Sequence, residues 1–112
     1  AVRNYTFTRH DDKIQFTLKN PIETDIMATK ILVTPTWNIP QGSTEKVEAC
    51  NNAFDEVPTW EDITSQVTIN RHYNFTNDIK TANKWGISIR FTIEKGTAIE
   101  QAVINGFGGA FE

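Results

Sequence analysis

The run ACNNAFDEVPTWEDIT, Ala49 to Thr64, holds the chain's only cysteine, four carboxylates, a proline and a tryptophan. Its residue types admit three chemistries. Asp55, Glu56, Glu61 and Asp62 supply oxygens of the kind Ca²⁺ takes, but they lack the alternating D-x-D-x-D-G spacing that wraps an ion. Two of the acids facing each other across a cleft would suit glycoside hydrolysis, yet a single small domain rarely offers such a cleft. Cys50 has no histidine close in sequence to activate it, and the expectation is an unreactive thiol. A structural reading accounts for the same residues. Thr59 as N-cap, with Asp62 three residues on, would start one helical turn over Trp60 to Gln66, putting Glu61 and Asp62 where the helix dipole favours carboxylates. On that reading the run is a built connection, and no catalytic residue, metal or cofactor is expected.

What remains is binding. His10 and His72 are isolated and form no metal-ligand spacing. Rings beside polar groups hold sugars, since an aromatic face suits the C–H face of a pyranose while amides, Arg or His meet hydroxyls. Of the three tryptophans, Trp85 and Trp37 share parity with apolar strand residues and are expected in the core. Trp60 is left as an exposed platform or as a plug over the end of the core, and the plug is the expectation. A polar strand face of Asn70, His72 and Asn74, joined by Ser88 and Arg90 if their strands are neighbours, is the second candidate. The ligand-binding set is therefore Trp60, Asn70, His72, Asn74 and Arg90.

The elements that must position these residues follow a period of two, with Thr, Ile, Val and aromatic residues throughout. Tyr5 to Thr8 and Ile14 to Leu18 read as a hairpin around the turn HDDK, which carries His10. A third strand follows, roughly Ile26 to Thr34, and the two prolines and glycine of 35–43 read as a loop. Val67, Ile69, Tyr73 and Phe75 alternate with polar residues as a further strand. Trp85, Ile87, Ile89, Phe91 and Ile93 give the most regular alternation in the chain, opposite Gly86, Ser88, Arg90, Thr92 and Glu94. Lys95-Gly96 reads as a tight turn into a strand over Ala98 to Ile104, and Asn105-Gly106 as a hairpin turn before a last strand from Phe107. GFGG opens no helix and so lacks the setting of a phosphate loop; its glycines suit a bulge or a close backbone approach. About seven short strands predict an all-β fold, a single antiparallel β-sandwich of jelly-roll or immunoglobulin-like type spanning 1–112.

Size and charge narrow the function. A chain of 112 residues is the length of one domain, and its seven Phe and three Trp can fill one core. A single cysteine excludes a disulfide framework. A net charge of −3 with scattered basic residues excludes a phosphate-binding footprint, so nucleic acid is not an expected partner. No apolar run reaches the length of a membrane span, and the first residues lack a signal peptide's apolar stretch.

Three phrases, NNAFDEVPTWEDIT, FTNDIKTANKWGISIRFTIEKG and INGFGGAFE, resemble small β-sandwich modules of tailed-phage and prophage structural proteins. The resemblance covers about the C-terminal two thirds of the chain. It implies a non-enzymatic virion structural or appendage role, in particle assembly or host-surface attachment. Its partners would be other copies of the chain, virion proteins or a host-surface glycan, with the virion as its location. The alternatives are a carbohydrate-binding module accessory to a bacterial enzyme, which would be extracellular, and, least favoured, a small hydrolase.

Overall fold

The computed structural model describes residues 7–8, 13–98 and 102–112. Along the chain lie β1 (Phe7–Thr8), β2 (Lys13–Thr17), β3 (Ile22–Thr24), β4 (Lys30–Asn38), β5 (Thr44–Cys50), β6 (Glu61–Asp62), α1 (Thr64–Thr68), β7 (Tyr73–Asn74), β8 (Trp85–Glu94) and β9 (Val103–Phe111). The strands form two sheets, one in the order β1-β9-β4-β7 and the other β2-β8-β5-β6 with β3 also on β8. All strand pairs are antiparallel. The all-β expectation holds.

A core between the sheets explains why the chain folds this way. Ile31 and Val33 of β4 and Ile104 and Phe107 of β9 are buried against Val47, Ala49, Ile87, Ile89, Phe91 and Ile93 of β5 and β8. Phe91, fully buried, is its centre: Phe16 stacks on it at 5.1 Å, Phe107 lies at 4.8 Å, and Trp37 meets it edge-on at 6.2 Å. Phe91 thus touches aromatic rings from both sheets, a geometry that adds to simple area burial. The alternation read for β8 is correct on its inner face from Ile87 to Ile93, whereas Trp85, expected in the core, is half-buried outside the core cluster with Lys80 Nζ 5.5 Å from its ring centre. On the outer face Gly86 and Ser88 are buried as well, because further chain covers that end of the strand.

Several expectations fail, each for a physical reason. β1 and β2 are not a hairpin: Phe7 pairs with Ile104 of β9, and β2 pairs with β8 in the other sheet. Tyr5, Thr6 and the HDDK turn residues His10 to Asp12 lie outside the described residues, as do residues 99–101 of the strand expected before Ile104. Asn105-Gly106 is no hairpin turn, since it lies within β9. There Thr36 opposes Gly106 while Trp37 opposes Ile104, so Asn105 is the extra residue of a β-bulge. Lys95-Gly96 does turn, with the Ala98 N–H donating to the Lys95 carbonyl at 3.1 Å.

Pro35 sits inside β4 instead of opening a loop. Lys30 exchanges both backbone hydrogen bonds with Glu112, so by the two-residue period of an antiparallel ladder the odd positions of β4 face its other edge. β7 pairs there only as far as Ile31. The N–H that Pro35 lacks would therefore point away from the sheet, where a proline is tolerated.

The strand expected over Val67 to Thr76 is part helix. α1 spans Thr64–Thr68, later than the turn expected over Trp60 to Gln66, and Ile63 occupies its N-cap with no side-chain cap. Thr59 caps nothing, and Glu61 and Asp62 belong to β6. The helix ends as the Asn70 N–H donates to the Val67 carbonyl at 3.2 Å and the Arg71 N–H to the Gln66 carbonyl at 2.9 Å. Asn70 takes φ 55°, the left-handed position that terminates helices in this way and that Asn tolerates. Val67 is buried by the helix, whereas Ile69 is left 64% exposed.

Candidate functional site

At the Trp85 end of β8 the run after β5 is fastened to the sheet. The Gly86 N–H donates to the Asn51 carbonyl at 3.2 Å, and the Ala53 N–H to the Gly86 carbonyl at 3.0 Å. Phe54 lies directly over Gly86, and a Cβ there would enter the Phe54 ring. Glycine is required at that position by space. Lys84 Nζ sits 4.1 Å from the centre of the same ring.

Four buried side chains then hold the neighbouring loop, residues 76–84, in place. Asn51 donates from Nδ2 to the carbonyls of Ala28 at 3.0 Å and Asn77 at 2.9 Å, and its Oδ1 accepts from Asn77 Nδ2 at 2.8 Å. Asn52 accepts the Thr59 N–H at 2.9 Å and donates to Asp55 Oδ2 and Thr59 Oγ1, each at 3.1 Å. Asp55 accepts the Thr81 and Ala82 N–H groups at 3.0 and 2.9 Å. Glu61 accepts the Tyr73 O–H at 2.7 Å, the Thr76 N–H and O–H at 2.9 and 2.8 Å, and the Asn77 N–H at 3.1 Å. Segments far apart in sequence are thus tied together, and the bonds to the Asp55 and Glu61 carboxylates are of the stronger, charge-assisted kind.

The electrostatics follow. Burial opposes ionisation of Glu61, but the Thr76 and Asn77 N–H groups and the Tyr73 and Thr76 hydroxyls outweigh it and hold its carboxyl below the usual range. At Asp55 burial is likewise outweighed, here by the Ala82 and Thr81 N–H groups with help from Asn52. Burial, then the bond to Glu61, pushes the Tyr73 phenol up to about 12. Cys50 is not in a polar loop but in β5, fully buried, and burial pushes its thiol up to about 12. Protonated near neutral pH, it is no nucleophile.

The tips of these fastened segments are apolar and open. Val57 is 82% exposed and Ile79 67%; Ile26, just before the Ala28 that Asn51 holds, is 76% exposed.

The residues singled out from sequence are distributed differently. Trp60 and Arg90 do meet: the guanidinium lies 4.3 Å over the indole, and Arg90 Nε donates to Glu48 Oε1 at 3.0 Å. Trp60 is half-buried on the outer face of the β8-β5 sheet and lies outside the core cluster, so it does not plug the core. Asn70, His72 and Asn74 share no face with Arg90. Asn74 pairs with Lys30 in one sheet, Arg90 with Glu48 and Thr17 in the other, and Ser88 is buried. Asn70 ends α1, and exposed His72 borders a groove beside Lys30 and Glu112. Reasoning from sequence missed Asn51 and Asn52. The signal was present: paired amides directly after a strand, with Asp three residues beyond Asn52, is a spacing that serves local side-chain to backbone bonding.

No family model, curated protein or solved structure matches this chain.

Proposed function

We propose that the domain is a non-enzymatic structural module of a multi-subunit particle, of the tailed-phage kind its phrases resemble, and that it joins other copies of itself through the fastened loop end. The observation that carries this reading is the coincidence of exposed Ile26, Val57 and Ile79 with segments pinned by Asn51, Asn52, Asp55 and Glu61. Apolar tips held rigid lose little conformational freedom on association. Two of the four acids that suggested catalysis are occupied with that fastening: the oxygens of Asp55 and Glu61 accept donors from loop 76–84 and the strand before it.

Strand order supports the jelly-roll member of the two sandwich types. β2 and β3 pair in succession with one strand, β8. Counted as one interrupted strand, they leave eight strands in the orders 1-8-3-6 and 2-7-4-5, the two-sheet arrangement of double Greek keys found in capsid and lectin domains. Fold alone assigns no function.

Light scattering across a concentration series tests the reading. The expected result is a discrete oligomer that Val57→Asp with Ile79→Asp converts to monomer at unchanged melting temperature. A wild-type monomer at about millimolar protein, where even weak self-association shows, refutes it.

A further inference from the structure

At the end of β8 remote from the fastened loops, where Glu45 pairs with Ile93, the second half of β4, the start of β5 and the end of α1 enclose an open groove of about 360 Å³. That volume falls in the range of small-ligand sites. Trp37 and Pro35 form its apolar wall, and Asn38, Glu45, Thr68 and Asn70 supply polar groups. We infer that this groove is a binding site for a neutral, pyranose-containing saccharide. The inference is independent of the assembly reading, because it uses none of the residues of the loop end.

The chemistry of the lining selects the ligand class. Trp37, half-buried with its ring edge-on to Phe91, leaves part of its indole on the groove, apolar surface of the kind that meets the C–H face of a sugar. Asn38 and Asn70 also line the groove, and a side-chain amide carries the donors and acceptor that adjacent hydroxyls require. Among the described residues neither amide, nor the Trp37 indole N–H, nor the Glu45 carboxylate has a hydrogen-bonded partner. The amides of Asn51 and Asn52 at the other end, by contrast, are engaged. Among the described residues no cationic side chain lines the groove, and Glu45 would repel an anion, which favours an uncharged ligand over phosphorylated, sulfated or sialylated ones. The floor is pre-formed: the hydrogen bonds that end α1 fix Asn70, and the β4-β9 ladder with its bulge fixes Trp37.

The test is a titration followed by amide NMR shifts, using uncharged glucose-, galactose- and N-acetylglucosamine-based trisaccharides and a sialylated trisaccharide. The expected result is saturable shifts at Asn38, Glu45, Thr68 and Asn70 with at least one neutral sugar at or below about 10 mM, a range typical of weak single-site binding. Asn70→Gly, which suits the positive φ and removes only the amide, is expected to weaken binding roughly tenfold at an unchanged melting temperature, the loss of about one hydrogen bond. Trp37→Ala should abolish it, and Trp60→Ala should leave it unaltered. Absence of shifts for every neutral sugar overturns the proposal. So does preference for the sialylated probe, or binding that Asn70→Gly leaves intact.

Discussion

Glu61 shows how a residue that looks catalytic is used structurally. Its carboxylate takes four donors from residues 73–77, and no substitution preserves both its charge and its reach. Glu61→Gln places an amide donor against N–H and O–H donors, so it should destabilise by about 1 to 3 kcal/mol in a urea melt and speed amide exchange at Thr76 and Asn77 first. An unchanged midpoint would show that the loop is held by other means. The sequence revealed only part of this. Acids beside Trp60 favour a structural connection, but the partners of Glu61 lie beyond the helix, and spacing within one segment carries no information about donors on another. Trp60 and Arg90, expected at separate sites, form one contact; Asn70, His72 and Asn74 share a sequence parity that the left-handed turn at Asn70 breaks.

Among the elements, β8 was the most legible because it is long, central and alternates without interruption. Ile89→Ala should cost about 2 to 5 kcal/mol, whereas Thr92→Ala, which removes only an acceptor for exposed Gln15 at 3.0 Å, should cost under about 1. Equal losses in denaturant melts would contradict the face assignment. β5 was harder to see, since only Val47 and Ala49 are apolar along its buried face and Glu45, Lys46 and Glu48 interrupt the pattern. Pro35 and Asn105-Gly106 misled for a shared reason. Local preference marks where a chain is able to turn, while a sheet edge or a bulge lets the same residues continue a strand. Val67 and Ile69 fit either period, and packing of α1 against β4 and β5 decided between them.

For the whole molecule, the shifted groups set a pH window. Asp62, held low by the Thr64 hydroxyl and N–H, joins Asp55 and Glu61 in having a folded pKa below its unfolded value. Their stabilisation is complete above the unfolded carboxylate range and is lost as pH falls below about 4.5. Tyr73 and Cys50 are raised to about 12, so their contribution is complete below their unfolded values and declines as pH rises beyond about 9. Melting temperature should therefore be flat between roughly pH 5 and 8.5 and fall on both sides, with Glu61→Gln flattening the acid limb. A profile that peaks below pH 4 would reverse these signs. The pairing of Phe7 with Ile104 and of Ile31 with Phe111 also has a consequence in time. That sheet cannot close until β9 exists, so during synthesis β1 and β4 must wait until Val103–Phe111 has been made. Such a topology folds on the scale of milliseconds to seconds, and a ribosome-bound chain stalled before Val103 should remain open to protease while one released past Glu112 becomes resistant.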